Sequence, residues 1–162
     1  MIAADTSSLI PLASVELLEV FLEEFEVATT EKVVEELEET TRYDDRHGEA
    51  AEEVLDNLQK MEVCEVEEVF ESCRIDSGEG SVAGLANGKD ADFMVTDDFR
   101  ALPELQKLVD ARVAISPIAL KALIKREILE EEEALDKLEE LAEQLSWMGA
   151  PLYRHAQELF KN

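Results

Sequence analysis

The stretch from Ile75 to Asp98, IDSGEGSVAGLANGKDADFMVTDD, decides how the chain folds. Its first half, Ser77 to Asn87, is built from small residues with Val82, Ala83 and Ala86 on one face, and predicts a helix whose glycines let it pack closely. Its second half passes into Phe93-Met94-Val95-Thr96, an apolar run closed by Asp97-Asp98, which is the pattern of a buried strand. A helix leading at this distance into a buried strand is part of a βαβ unit, so a parallel sheet is expected.

Upstream the same alternation repeats. Ile2 to Ala4 is a short apolar run ending at Asp5; Ser7 to Ala13 and Val15 to Phe25 then carry helical spacing. Glu26 to Ala28, with the threonines after it, predicts a second strand, and Thr29-Thr30 suits a helix start before Val33, Val34 and Leu37. Thr40 to His47 is polar and predicts a loop, Glu49 to Leu58 a helix, and Met61 to Val66 an edge strand. Downstream, Ala111 to Ile115 predicts a last strand before Ser116-Pro117. Between Ile128 and Leu145, Leu135, Leu138, Leu141, Ala142 and Leu145 form one apolar stripe on an acidic helix. Gly149-Ala150-Pro151 breaks it before a short helix, Leu152 to Phe160. The expected fold class is therefore a three-layer α/β/α sandwich around a parallel sheet of four or five strands. It is read as a single domain over residues 1–162, with an α/β core to about residue 127 and a helical C-terminal extension from about 128.

Composition narrows the function classes. The chain has 162 residues, and no apolar run in it reaches the roughly 20 residues of a membrane helix. Met1 to Asp5 lacks the charged and apolar regions of a signal peptide, so a cytoplasmic protein is expected. Cys64 and Cys73 form no CxxC and read as core or half-buried thiols rather than a zinc site or a disulfide. His47 and His155 stand in no nucleophile motif, no Walker or Rossmann glycine pattern is present, and Trp147 reads as core rather than as a base-stacking group. Fifteen basic against forty acidic residues give a formal charge of −25, which opposes the approach of a polyanion. Such dense carboxylates fit a protein working in concentrated salt, where charges are screened within about 3 Å at 1 M.

Among so many acids, a few stand where elements begin or end. Asp5 follows the first strand and Asp97-Asp98 the central one, and the carboxyl ends of parallel strands open into a common crevice. Glu79 shares a face with Val82, Ala83 and Ala86 and points inward; Glu36 and Glu38 flank the apolar face of their helix equally, and spacing leaves them tied. Taken singly, each reads better as structure: Asp5 as a helix cap, Asp76 and Glu79 as a capping box, Asp97 or Asp98 as a cap for the turn before Leu102. Taken jointly, carboxylates meeting in one crevice repel one another unless a cation neutralises them, and hard oxygen donors suit Mg²⁺ or Mn²⁺. A metal so held would activate water for phosphodiester hydrolysis with no protein nucleophile.

With these residues in place, the chain resembles the PIN domains, and among them the archaeal and bacterial VapC-like ribonucleases. IAADTSSLI looks like the first motif, whose aspartate binds metal; ATTEKVVEELEE is similar to the second, whose glutamate precedes a leucine and so selects Glu36. IDSGEGSVAGLANGKDADFMVTDDFRAL resembles a subgroup form with D-x-G-E at the third acidic position and T-x-D at the fourth. The ending GAPLYRHAQELF also looks like that subgroup. The resemblance implies Asp5, Glu36, Glu79 and Asp98 as catalytic metal ligands, with Asp97 as a further ligand and Asp76 as a neighbour. It also implies an RNA substrate, an antitoxin protein as partner and a homodimer. The alternative is an inactive module of the same shape whose acidic surface holds a basic protein. A haloacid-dehalogenase-type phosphatase would need D-x-D after the first strand, where this chain has Asp5-Thr6-Ser7.

Overall fold

The computed structural model of the chain describes residues 1–144 together with 154, 157 and 158. Strand β1 (Ile2–Ala4) leads into helices α1 (Thr6–Ser14) and α2 (Leu18–Glu24), then β2 (Val27–Thr30), α3 (Glu31–Thr40) and α4 (Arg46–Asp56). A 3₁₀ turn at Leu58–Lys60 precedes β3 (Glu62–Cys64), followed by α5 (Ser77–Gly88), β4 (Phe93–Val95), α6 (Leu102–Leu108), β5 (Arg112–Ala114), α7 (Pro117–Lys125) and α8 (Glu131–Gln144). The expected break at Gly149 to Pro151 lies outside the described residues, as do Leu145, Trp147 and His155. Of the expected last helix, Arg154, Gln157 and Glu158 are described, each helical. Among the described residues no helix is long and apolar enough to cross a membrane.

The strands form one parallel five-stranded sheet in the order β3-β2-β1-β4-β5. The chain winds from β1 outward to β2 and β3, then returns to place β4 on the other side of β1, so the switch in winding direction lies between β1 and β4. Ligand crevices open at such a point, outside the carboxyl ends of the strands. Register makes the junction tight: Ala4 pairs with Val95, which sets Asp5 and Thr96 side by side immediately beyond.

Helices cover both faces. α5 runs across β1, β2 and β4 on one of them. On the other, Ile2, Phe93 and Val95 share a groove of about 420 Å³ with Phe21 of α2, with Phe25 just past its end, and with Ile118, Ala119 and Ala122 of α7. α8 packs on α7 with Ala134, Leu138, Leu141 and Ala142 buried. Leu135, expected on that stripe, is 40% exposed; the buried face begins one residue earlier, at Ala134.

Other departures have local causes. The helical spacing from Val15 to Phe25 is interrupted because Glu16 takes a left-handed conformation (φ 61°), ending α1 before Leu17 caps α2. His47 lies in the first turn of α4 rather than in the loop, because Asp45 accepts from the Gly48 N–H at 3.0 Å and starts the helix earlier. Cys64 is half-buried, whereas Cys73 is exposed. Helix α5 can lie beneath the segment between β3 and itself because a Cβ on Gly80 would stand 1.7 Å from the Phe70 carbonyl oxygen; the backbone takes that space, and the Phe70 N–H donates to the Gly80 carbonyl.

Candidate active site

Asp5, Asp76, Glu79 and Asp98 each have a structural task that also fixes where the side chain stands. Asp5 is the N-cap of α1, accepting from the Ser8 N–H at 3.1 Å through Oδ1. Its Oδ2 accepts from the Thr96 hydroxyl at 2.6 Å, and the Ser7 hydroxyl lies 3.0 and 3.1 Å from the two oxygens. Asp76 and Glu79 form the expected capping box at the start of α5: Asp76 Oδ1 accepts from the Glu79 N–H at 2.8 Å, and Glu79 Oε2 from the Asp76 N–H at 3.3 Å. Asp98 Oδ1 accepts from the N–H groups of Arg100 (2.9 Å) and Ala101 (3.3 Å), pinning the turn ahead of α6.

The tie between Glu36 and Glu38 is resolved by tertiary packing. Glu38 is exposed, while Glu36 is half-buried and its Oε2 accepts from the Thr6 hydroxyl at 3.2 Å, which joins α3 to the start of α1. Its other oxygen, Oε1, is buried and has no hydrogen-bond partner. Gly78, in the first turn of α5, makes room for it: a Cβ there would stand 1.6 Å from Glu36 Oε1.

These groups crowd one another electrically. Burial, with Asp98, Asp76 and Asp5 nearby, pushes the Glu79 carboxyl up to about 9, and Glu79 shares a side-chain hydrogen bond with Asp98. Burial, then the Asp76 and Asp5 charges, raise Glu36 to about 7 against the Thr6 hydrogen bond. Asp5, 2% exposed, is raised by burial to about 6 although three side-chain hydroxyls and a backbone N–H oppose the shift. With its carboxyl raised to about 9, Glu79 keeps its proton at neutral pH, where a second bare carboxylate beside its acidic neighbours would be repelled.

Asp97 differs from the others. Both of its oxygens accept from Ser116, Oδ1 from the backbone N–H at 2.5 Å and Oδ2 from the hydroxyl at 2.6 Å. Burial raises it to about 7 in spite of those bonds, with the Asp5 charge adding to the rise.

As their side chains stand, no three Asp, Glu, His or Cys residues among those described are gathered closely enough to hold a cation. The donor chemistry nevertheless fits a hard divalent ion: carboxylate oxygens alone, groups raised by burial and then by neighbouring acids, and one orphaned oxygen on Glu36. The hydroxyls of Thr6, Ser7, Thr96 and Ser116, which orient these carboxylates, carried little signal in the sequence, because their partners lie up to 91 residues away.

A family profile described as PIN domain matches residues 1–162. The chain belongs to the PIN-domain family. PIN domains are generally nucleases acting on RNA or other nucleic acid, typically with divalent metals, and the carboxylates at the β1/β4 switch occupy the place where such a fold opens a crevice. No curated protein matches the chain.

Proposed function

We propose that this PIN domain is a divalent-metal-dependent endoribonuclease of the VapC-like kind. The observation that carries the reading is the buried, unpartnered Glu36 oxygen, on a side chain that burial and the neighbouring Asp76 and Asp5 charges act on, with Glu79 under the same strain from burial, Asp98, Asp76 and Asp5. A cation would satisfy all of these groups at once, and Asp5, Glu36, Glu79 and Asp98 are the residues proposed to hold it. Mg²⁺ or Mn²⁺ held there would supply activation of a water and charge neutralisation at the phosphodiester. The chain's own contribution is orientation. Thr96 and Ser7 fix the Asp5 carboxylate, Thr6 fixes Glu36, and backbone N–H groups hold Glu79 and Asp98. Lys32, which acts electrostatically on Glu36, and Arg100, exposed two residues beyond Asp98, are the cations placed to meet substrate phosphate.

The VapC-like resemblance extends the proposal to a toxin restrained by an antitoxin and to a homodimer, and the single-domain division near residue 127 belongs with it. The acidic surface supports the rival reading, an inactive module that holds a basic protein, as do the capping roles of Asp5, Asp76, Glu79 and Asp98. Purified protein incubated with single-stranded RNA, with EDTA, Mg²⁺ or Mn²⁺ and in low and high salt, separates them. Internal cleavage requiring metal is expected; its absence under every condition, with no rise in melting temperature on adding metal, would leave the inactive module.

Gly78→Ala probes the same site without replacing a carboxylate. The added methyl must displace the end of the Glu36 side chain, which can swing, while alanine improves helix propensity by about 1 kcal/mol. Cleavage is expected to fall by about tenfold or more with the urea midpoint unchanged or raised. Full activity would mean that Glu36 does not act from this position.

A further inference from the structure

Asp97 and Ser116 form a part-buried link that the hydrolytic reading leaves without a role. Asp97 lies two residues beyond β4, next to Asp98, and Ser116 is the N-cap of α7. The Ser116 side chain makes no capping bond to its own helix. Instead its hydroxyl and N–H both donate to Asp97, at 2.6 and 2.5 Å, so a carboxylate from another strand occupies the N-terminal end of α7. On its other side, the Asp97 N–H donates to Ser7 Oγ at 2.8 Å. Having accepted that bond, the Ser7 hydroxyl turns its own proton toward Asp5, 3.0 Å away, or toward Thr96 at 3.1 Å. One chain of contacts thus runs from the N-terminus of α7 through Asp97 and Ser7 to Asp5, and the backbone it braces is the one that carries Asp98.

We propose that Asp97 is a positioning residue rather than a metal ligand: anchored on Ser116, it fixes the turn from Thr96 to Asp98 and, through Ser7, the Asp5 carboxylate. The proposal rests on the nuclease reading. Both oxygens of Asp97 are already engaged by a donor pair that an Asn side chain can also serve, its oxygen accepting from the N–H and its amide donating to the hydroxyl. A ligand would instead need the charge. The two roles therefore separate on conservative substitution.

The test uses Asp97→Asn, Asp97→Ala, Ser116→Ala and the Asp97→Ala/Ser116→Ala pair. It reads kcat and KM on single-stranded RNA well below each melting temperature, and the Mn²⁺ midpoint from both activity and Mn²⁺-induced thermal stabilisation. Asp97→Ala is expected to lower kcat by about tenfold to a hundredfold with KM little changed, since small misplacement of reacting groups is costly. Ser116→Ala should lower kcat less, and should add nothing in the Asp97→Ala background. Asp97→Asn should recover most of the lost kcat and leave the Mn²⁺ midpoint within about threefold. A Mn²⁺ midpoint weakened tenfold or more by Asp97→Asn, or Ser116→Ala and Asp97→Ala effects that multiply, would overturn the proposal. If the parent chain cleaves nothing, the thermal Mn²⁺ titration still decides: stabilisation lost in Asp97→Asn contradicts the positioning role, and stabilisation kept supports it. If the parent shows neither cleavage nor Mn²⁺ stabilisation, the nuclease reading fails first and this one falls with it.

Discussion

Asp98→Asn and Asp5→Asn are each expected to reduce metal-dependent RNA cleavage by roughly 10²–10³-fold or more while leaving the fold intact. The separation comes from the double duty of both side chains. In Asp98→Asn the amide oxygen can still accept from the Arg100 and Ala101 N–H groups, and in Asp5→Asn it can still accept from the Ser8 N–H, so both turns keep their caps. Asn and Asp are near-equal as N-caps, and the stability change is expected to stay within about 1 kcal/mol. What disappears is charge. If the carboxylates were caps and nothing more, the Asn variants would match the parent in any assay, and an Asp98→Asn variant of full activity would remove this residue from the site. Circular dichroism and urea unfolding on the same preparations keep lost activity from being mistaken for lost structure.

How far these positions could be read from the chain alone depended on the range of the interaction. Strands β1, β2 and β4 are local patterns, a few apolar residues followed by a capping Asp or Thr, and the structure places them within a residue or two of expectation. The capping box at Asp76 and Glu79 is equally local. Helices α6 and α7 are not predicted by the pattern: Leu102–Leu108 is two turns long, and Pro117–Lys125 begins at Ser116-Pro117, a pair that equally suits the close of a strand. Pro at the first helical position is as much a start signal, and here it is one.

The site divides along the same line. Position along a strand or helix placed Asp5, Glu79 and Asp98 near one crevice, but direction needs a partner. Glu36 and Glu38 flank the apolar face of α3 equally, from its two sides, and Thr6, thirty residues away, distinguishes them. Asp97 and Asp98 are neighbours with the same composition around them, yet one turns to Ser116 and the other to its own loop, because successive residues leaving a strand face opposite sides.

The metal-free protein is expected to lose stability as pH rises, and divalent metal to restore it. Asp5 moves from an ordinary 3.8 to about 6, Asp97 from 3.8 to about 7, Glu36 from 4.5 to about 7 and Glu79 from 4.5 to about 9. In each case the folded state binds its proton more tightly than the unfolded chain does. Stability is then greatest below the unfolded values near pH 4, and falls as pH climbs towards the folded ones. Three of the groups complete their loss near pH 7, and Glu79 extends it to about 9. Even about 3 kcal/mol lost over that window lowers the melting temperature by roughly 6–12 °C in a chain of this size. General repulsion from the −25 charge changes in the same direction, but unperturbed carboxylates finish titrating by about pH 6, and salt screens them. The decline between pH 7 and 9 in EDTA and constant high salt is the part owed to Glu79, and Glu79→Gln should flatten it, because the amide can donate to Asp98 at every pH. Metal competes with the same protons, so Mn²⁺ should raise the melting temperature strongly at pH 8 and little at pH 5. A parent and a Glu79→Gln variant with the same slope above pH 7 would show that no shared proton holds Glu79 to Asp98. Equal Mn²⁺ stabilisation at both pH values would place the ion away from these carboxylates.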